Sequence, residues 1–233
     1  MKKAGIICAG DDELRPFLEA LTEFKVTKHA QLDFYDGKLN GFPAVMLYSG
    51  VGKVNAAVAA QVMIDYYGVE FIVNAGVCGG IAEGVDIFDT VITEKAAYHD
   101  ADRDILTEFH PFMPDIYFKS DPYLLQAAKR LAAADPTVHI GVSVTGDRFI
   151  AGGEREKIKA ELSPLSADME TAAIAQVCYA NGMPFIAVRT VTDNAACDGA
   201  ENFEANCLKA SEISKNLVIK LMREVADSPR AFP

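Results

Sequence analysis

Short apolar runs alternate with helix-spaced segments along most of the chain. "AGIICA" (4–9) is apolar throughout, too short for a helix, and reads as a strand buried on both faces. "DDELRPFLEALTEF" (11–24) follows with helical spacing. "QLDFYDGKLNGFPAVMLYS" (31–49) reads as a β-hairpin with "DGKLNG" as its turn region. "VGKVNAAVAAQVMIDYYG" (51–68) predicts an alanine-rich helix stopped by Gly68. "EFIVNAG" (70–76) predicts a second buried strand, and 86–100 a strand with a following loop. Residues 101–120 are irregular and carry Pro111 and Pro114. Beyond them the pattern predicts a helix over 121–134, a strand over 139–146 and a short charged helix over 154–161. A strand at 164–168, a helix at 169–181, a strand at 183–193, a loop at 194–202 and a final helix complete the chain. Such alternation predicts an α/β fold: one domain over 1–226, a mixed central β-sheet flanked by helices on both faces. Residues 227–233 read as a frayed tail.

Composition narrows the classes of function. Half of the 233 residues are hydrophobic, enough for a sizeable core and against disorder. The net charge is −11, the Lys and Arg are scattered and Trp is absent. No basic face is available for a phosphate backbone, so no nucleic-acid partner is expected. Cys8, Cys78, Cys178, Cys197 and Cys207 are odd in number and form no CxxC pair, as suits a reducing, cytoplasmic setting. The first apolar run turns acidic at Asp11, short of the roughly 7–15 apolar residues of a secretion signal. No run approaches the roughly 20 residues of a membrane span, so no membrane partner is expected.

Sites in α/β sheets gather beyond the carboxyl ends of the strands. There the chain places Glu13, the glycine-bearing turns 50–53 and 76–80, Phe149 and Ile150, Asp168 to Glu170, and Asp193. "DMET" (168–171) puts two carboxylates where a strand becomes a helix. Helix capping explains such a pattern locally, but several acids meeting at one rim point to chemistry. "SGVGKVNAA" is not a phosphate loop: Leu47 stands where Gly is needed and Val54 where Ser or Thr is needed. A dinucleotide GxGxxG fails at Asn55. "AGVCGG" (75–80) reads as a tight turn that lets backbone approach a ligand or another strand. "YHDAD" (98–102) offers His99, Asp100 and Asp102 but no further ligands, so a structural turn is favoured and no metal or other cofactor is expected. No GxSxG elbow is present, so a covalent nucleophile is unsupported.

In "GIICAGDDE", "YDGKLNG", "SGVGKVNAA", "NAGVCGG", "YHDAD", "TGDRFI", "DMETAAIAQVC" and "VRTVTD", the chain resembles the 5'-methylthioadenosine/S-adenosylhomocysteine nucleosidases, within the purine nucleoside phosphorylase fold family. The segments run in order from residue 1 to about 225. The resemblance implies a nucleoside phosphorylase-like fold and hydrolysis of the N-glycosidic bond of an adenosine derivative, releasing adenine. It implies that Glu13 activates water and that Asp193 protonates N7 of the leaving base. Glu170 would hold the ribose hydroxyls and Met169 would lie against the sugar. Phe149 would stack on the base and the Ile150 backbone would read its edge. Arg189 and Thr192 would orient the Asp193 loop, with Val51, Val77 and Phe203 lining the substrate pocket. It also implies a homodimer in which the region after "YHDAD", including Arg103 and Leu106, completes the partner's tail pocket.

The chemistry makes sense independently. An acid for the leaving group and a carboxylate that activates water from the opposite face are the pair used in inverting glycoside hydrolysis. The acid must hold its proton near neutral pH, and carboxylates near an oxocarbenium ion stabilise its charge. Asn74 stands where hexameric phosphorylases of this fold place an arginine, which favours hydrolysis; Arg15 echoes a phosphorylase spacing but reads as an exposed helix residue. Gly10, Val77, Arg103 and Arg148 depart from the family pattern around the 5' group. Arg103 suits a tail carboxylate, or is a plain surface arginine. Two alternatives remain open at this point: another 5'-modified adenosine such as aminodeoxyfutalosine, and phosphate-dependent cleavage.

Overall fold

The computed structural model describes residues 2–150, 153–194 and 200–226. Its order begins β1 (Ala4–Cys8), α1 (Asp11–Glu19), β2 (Leu21–His29), β3 (Leu32–Leu39), β4 (Phe42–Tyr48), α2 (Lys53–Tyr67), β5 (Phe71–Gly80) and β6 (Thr90–Tyr98). It continues with α3 (Asp104–Thr107), β7 (Phe118–Lys119), α4 (Pro122–Ala134), β8 (Val138–Thr145) and α5 (Glu154–Leu162). β9 (Ser166–Asp168), α6 (Thr171–Asn181), β10 (Phe185–Asp193) and α7 (Ala200–Ala226) follow.

One mixed sheet runs in the order β10-β6-β8-β9-β5-β1-β4-β3-β2, with β7 beside β6. β5 also pairs with β10, so β5, β10, β6, β8 and β9 close into a ring. Alternate residues of the central strands enter opposite cores. Ile6, Val73 and Val188 pack with Phe17, Leu124 and Leu221 from α1, α4 and α7. Ile7, Ile72 and Ala187 pack with Ala59, Met63 and Ile174 from α2 and α6. Helices on both faces explain why β1 is apolar at every position.

Three expectations are corrected. Helical spacing runs to Phe24, but α1 stops at Glu19 and Leu21 opens a strand paired with β3. Leu21 still joins the core that Leu14 and Phe17 enter, which is why the periodicity seems unbroken; cross-strand pairing overrides local propensity there. The hairpin turn is tighter than "DGKLNG": Leu39 pairs with Phe42, leaving Asn40 and Gly41, both at positive φ, as two-residue hairpin turns prefer. "AGVCGG" is not a turn but the second half of β5. The loop expected at 194–202 lies mostly outside the described residues, as does the tail at 227–233.

Candidate active site

Glu13 occupies the third position of α1, behind Asp11 and Asp12, where the helix N-terminus favours acids. Its Oε2 accepts the amides of Ala9 and Gly10, and its Oε1 accepts the Val77 amide at 2.8 Å. The side chain is therefore both the reciprocal cap of its own helix and a tie to β5. Gly76 makes this possible. A Cβ there would lie 2.3 Å from Glu13 Oε1, and the backbone has φ +136°.

Among the described residues Arg189, in β10, is the only cation among three buried carboxylates. Its Nη2 donates to Glu170 Oε2 at 3.1 Å and to Glu13 Oε1 at 3.4 Å, and Asp168 lies 3.9 Å from Nε. Nη1 donates to Asn74 Oδ1 at 2.9 Å and Nε to the Val77 carbonyl at 2.6 Å. Burial works to lower its pKa, but the three carboxylates outweigh burial and raise it, so the guanidinium stays charged. Arg189 thus orients Glu13 and Glu170. Its guanidinium bonds run to α1, β5 and the N-cap of α6.

The two acids of "DMET" divide the work. Asp168 Oδ1 accepts the amides of Glu170 and Thr171 and the Thr145 hydroxyl, so Asp168 ties down the backbone that enters α6. Glu170 faces inward: Oε1 accepts the Gly52 amide at 3.0 Å, and the side chain is almost fully buried. Burial pushes its pKa up to about 7, with Arg189 opposing and Asp168 and Glu13 adding to the rise.

Asp193 ends β10 just after a bulge that shifts the register between Val191 and Asp193, a device that re-aims a side chain. Thr192 donates its hydroxyl to Asp193 Oδ1 at 2.8 Å, and Asn206 of α7 donates to the Thr192 carbonyl. Gly79 again supplies room: a Cβ there would lie 3.2 Å from Asp193 Oδ2.

These groups border one cavity of about 680 Å³. Glu13, Val51, Val77, Phe149, Ile150, Met169, Glu170, Arg189, Asp193 and Phe203 all line it. Phe149 is 65 % exposed at the mouth and meets Phe203 edge-on at 6.4 Å. Cys78, Cys207 and Arg155 also line it, and pattern reasoning singled out none of them for the site. Burial pushes the Cys207 thiol up to about 11 and raises Cys78 further, so both are neutral wall residues. Arg155 donates to the Gly80 carbonyl at 2.7 Å; nothing in the charged pattern of α5 marked it. Thr192 stands one layer behind the wall. Arg103 and Leu106 do not line this chain's own cavity. Arg103 is exposed with its guanidinium on the Glu161 carbonyl, and Leu106 is buried in the chain's own core. Arg15 is on the surface, paired with Asp12.

A closed mixed sheet with acids and an aromatic residue around one apolar cavity defines an enzyme of the phosphorylase superfamily, whose family model matches residues 3–223. The 5'-methylthioadenosine/S-adenosylhomocysteine nucleosidase of Actinobacillus succinogenes is 35 % identical, over 96 % of this chain and 99 % of that protein. The Colwellia psychrerythraea nucleosidase of the same name, solved with adenine, is 32 % identical with a TM-score of 0.86, over 96 % of this chain and 95 % of that one. Futalosine hydrolase of Helicobacter pylori is 28 % identical with a TM-score of 0.86, over 96 % and 98 %. The chain belongs to the 5'-methylthioadenosine/S-adenosylhomocysteine nucleosidases.

Proposed function

We propose that the protein hydrolyses the N-glycosidic bond of 5'-methylthioadenosine and S-adenosylhomocysteine, with Glu13 and Asp193 as base and acid. Phe149 stacks on adenine and the Ile150 backbone meets its edge. Glu170 accepts the ribose hydroxyls and Met169 packs against the sugar. Val51, Val77 and Phe203 bound the 5' side. Asp193 gives its proton to N7 as the C1'–N9 bond breaks, and the bonding electrons leave with neutral adenine. Water adds to C1' and its proton passes to Glu13. The neighbouring carboxylates stabilise the positive charge on the sugar in the transition state.

One observation carries hydrolysis over phosphorolysis. The amides of Ala9, Gly10 and Val77 and the Arg189 guanidinium would make an anion site, but the Glu13 carboxylate already fills it. Three carboxylates around one guanidinium leave an excess of negative charge that repels a phosphate dianion. The same reading includes a homodimer, supported by exposed Ile105, Phe109 and Phe112 just after "YHDAD" and exposed Val54 on α2. Arg103 and Leu106 belong to that part of the proposal. A cytoplasmic setting is supported by the unpaired Cys8, Cys78, Cys178 and Cys207. The likeness to futalosine hydrolase makes a related 5'-modified nucleoside the second reading. Comparing kcat/KM for methylthioadenosine, S-adenosylhomocysteine and aminodeoxyfutalosine tests both. The first two are expected to lead; no turnover of either would overturn the assignment.

A further inference from the structure

Three loops meet beside the cavity at a cluster the proposed chemistry does not use. Lys53, the first residue of α2, donates from Nζ to both oxygens of Asp100, at 2.9 and 2.8 Å. The same Nζ lies 3.5 Å from Asp147 Oδ2. The Lys53 amide donates to Asp147 Oδ1 at 2.8 Å, and the Asp147 amide donates to Asp100 Oδ2 at 3.0 Å. The side chains of Lys53 and Asp100 are only 25 % and 17 % exposed, so the pair is better shielded than an ordinary surface ion pair. Tyr98 adds its ring below Lys53 Nζ, 5.3 Å from the centroid.

Two glycines let the loops close up. Gly52 has φ +101°, and a Cβ there would meet Asp147 Oδ1 at 3.3 Å. At Gly146 a Cβ would fall 2.3 Å from the His99 ring. The cluster is therefore built into the backbone geometry of all three loops. Each outer loop also carries site residues. Gly52, next to Lys53, donates to Glu170 Oε1; Phe149 and Ile150 follow Asp147 by two and three residues and line the cavity.

We propose that Lys53, with Asp100 and Asp147, is a positioning residue: the three form a clasp that holds the Gly52 amide on Glu170 and the Phe149–Ile150 loop against the base. The proposal rests on the nucleosidase reading for its catalytic consequence, but its structural half does not. Burial works to raise the Asp100 carboxyl, and Lys53 with the Asp147 amide outweighs it and holds the group below its usual range. Removing the ammonium converts the clasp into two facing carboxylates, which push the loops apart.

The test compares Lys53→Met, Lys53→Arg, Asp100→Asn and the Lys53→Met/Asp100→Asn double variant. Hydrogen exchange of the Gly52 amide is read in the ligand-free protein, and KM and kcat on methylthioadenosine. Lys53→Met is expected to speed Gly52 exchange and raise KM about tenfold each, with kcat within about threefold, since displacement of about 1 Å in a positioning group can cost up to a hundredfold. Lys53→Arg is expected to keep wild-type values. The double variant is expected to recover part of the Lys53→Met loss, because it removes the repulsion. A purely structural role would instead lower the active fraction, and so kcat, at constant KM. Unchanged Gly52 exchange in Lys53→Met, or losses that add in the double variant, would overturn the clasp. If Lys53→Met does not fold, Asp100→Asn carries the same readouts. Inactive wild-type protein would sink the nucleosidase reading alone, and Gly52 exchange would still decide the clasp.

Discussion

Replacing Gly76 with Ala places a methyl where the Glu13 carboxylate sits. The new Cβ would lie 2.3, 2.5 and 2.9 Å from Oε1, Cδ and Oε2. An ordinary contact requires the carboxylate to retreat by about 1 Å, since close-packed interiors leave no slack. That movement breaks or lengthens its bonds to the Ala9, Gly10 and Val77 amides, charge-assisted interactions worth about 1.5–3 kcal/mol each. The φ of +136° adds about 1–3 kcal/mol of backbone strain for an L side chain. Partial relaxation brings the loss to about 3–5 kcal/mol, in the range reserved for specific lesions, and lowers Tm by about 10 °C. A base displaced by about 1 Å costs about a hundredfold in kcat. The assay is adenine release from saturating methylthioadenosine, with thermal unfolding on the same preparation. A Gly76→Ala enzyme with kcat within threefold of wild type and an unchanged Tm would refute the reasoning.

Gly79→Ala is a graded control: its Cβ meets Asp193 Oδ2 at 3.2 Å with no positive φ, so a smaller loss, about tenfold in kcat, is expected, and a loss exceeding that of Gly76→Ala would contradict the geometry. Glu13→Gln and Asp193→Asn should each lower kcat by about 10²–10⁴ while adenine still binds, as calorimetry can show; retained turnover in either removes that residue from the mechanism. Glu170 is raised in the folded state from 4.5 to about 7, so between those values the native protein keeps a proton the unfolded chain has lost. Its stabilising contribution is complete below pH 4.5 and is lost as pH rises through 7, about 3 kcal/mol in all. Urea unfolding from pH 4.5 to 8 should therefore show a shallower decline for Glu170→Gln, and parallel profiles would reject the shift. Arg189→Met leaves three buried carboxylates without their cation and should cost about 3–5 kcal/mol; a neutral effect in urea unfolding would mean that the cluster is more hydrated than its burial implies.

The elements were legible where one physical rule governs them. β1 and the first three residues of β5 are apolar at every position because helices cover both faces of the sheet. "DMET" reads as helix capping or as chemistry, and its two acids differ: Asp168 ties down the backbone that enters α6, and Glu170 turns inward. What escaped was non-local. β2 begins at Leu21 because β3 pairs with it, and Leu21 serves the same core from a strand that a longer helix would have served. Closure of the ring through β5 and β10 depends on partners more than a hundred residues apart. The reason for Gly76 is Glu13, a side chain on another element, so its glycine pattern looks like a turn. The bulge before Asp193 leaves no local signature either. The ties of Arg189 to Glu13 and Glu170 also join residues of separate elements, and no local pattern announces them.

The most direct test of the central claim is product analysis with methylthioadenosine, with and without phosphate. If Glu13 fills the anion site and water is the acceptor, adenine and free methylthioribose form at the same rate in both. Adenine that appears only with phosphate, together with a sugar 1-phosphate, would contradict the account.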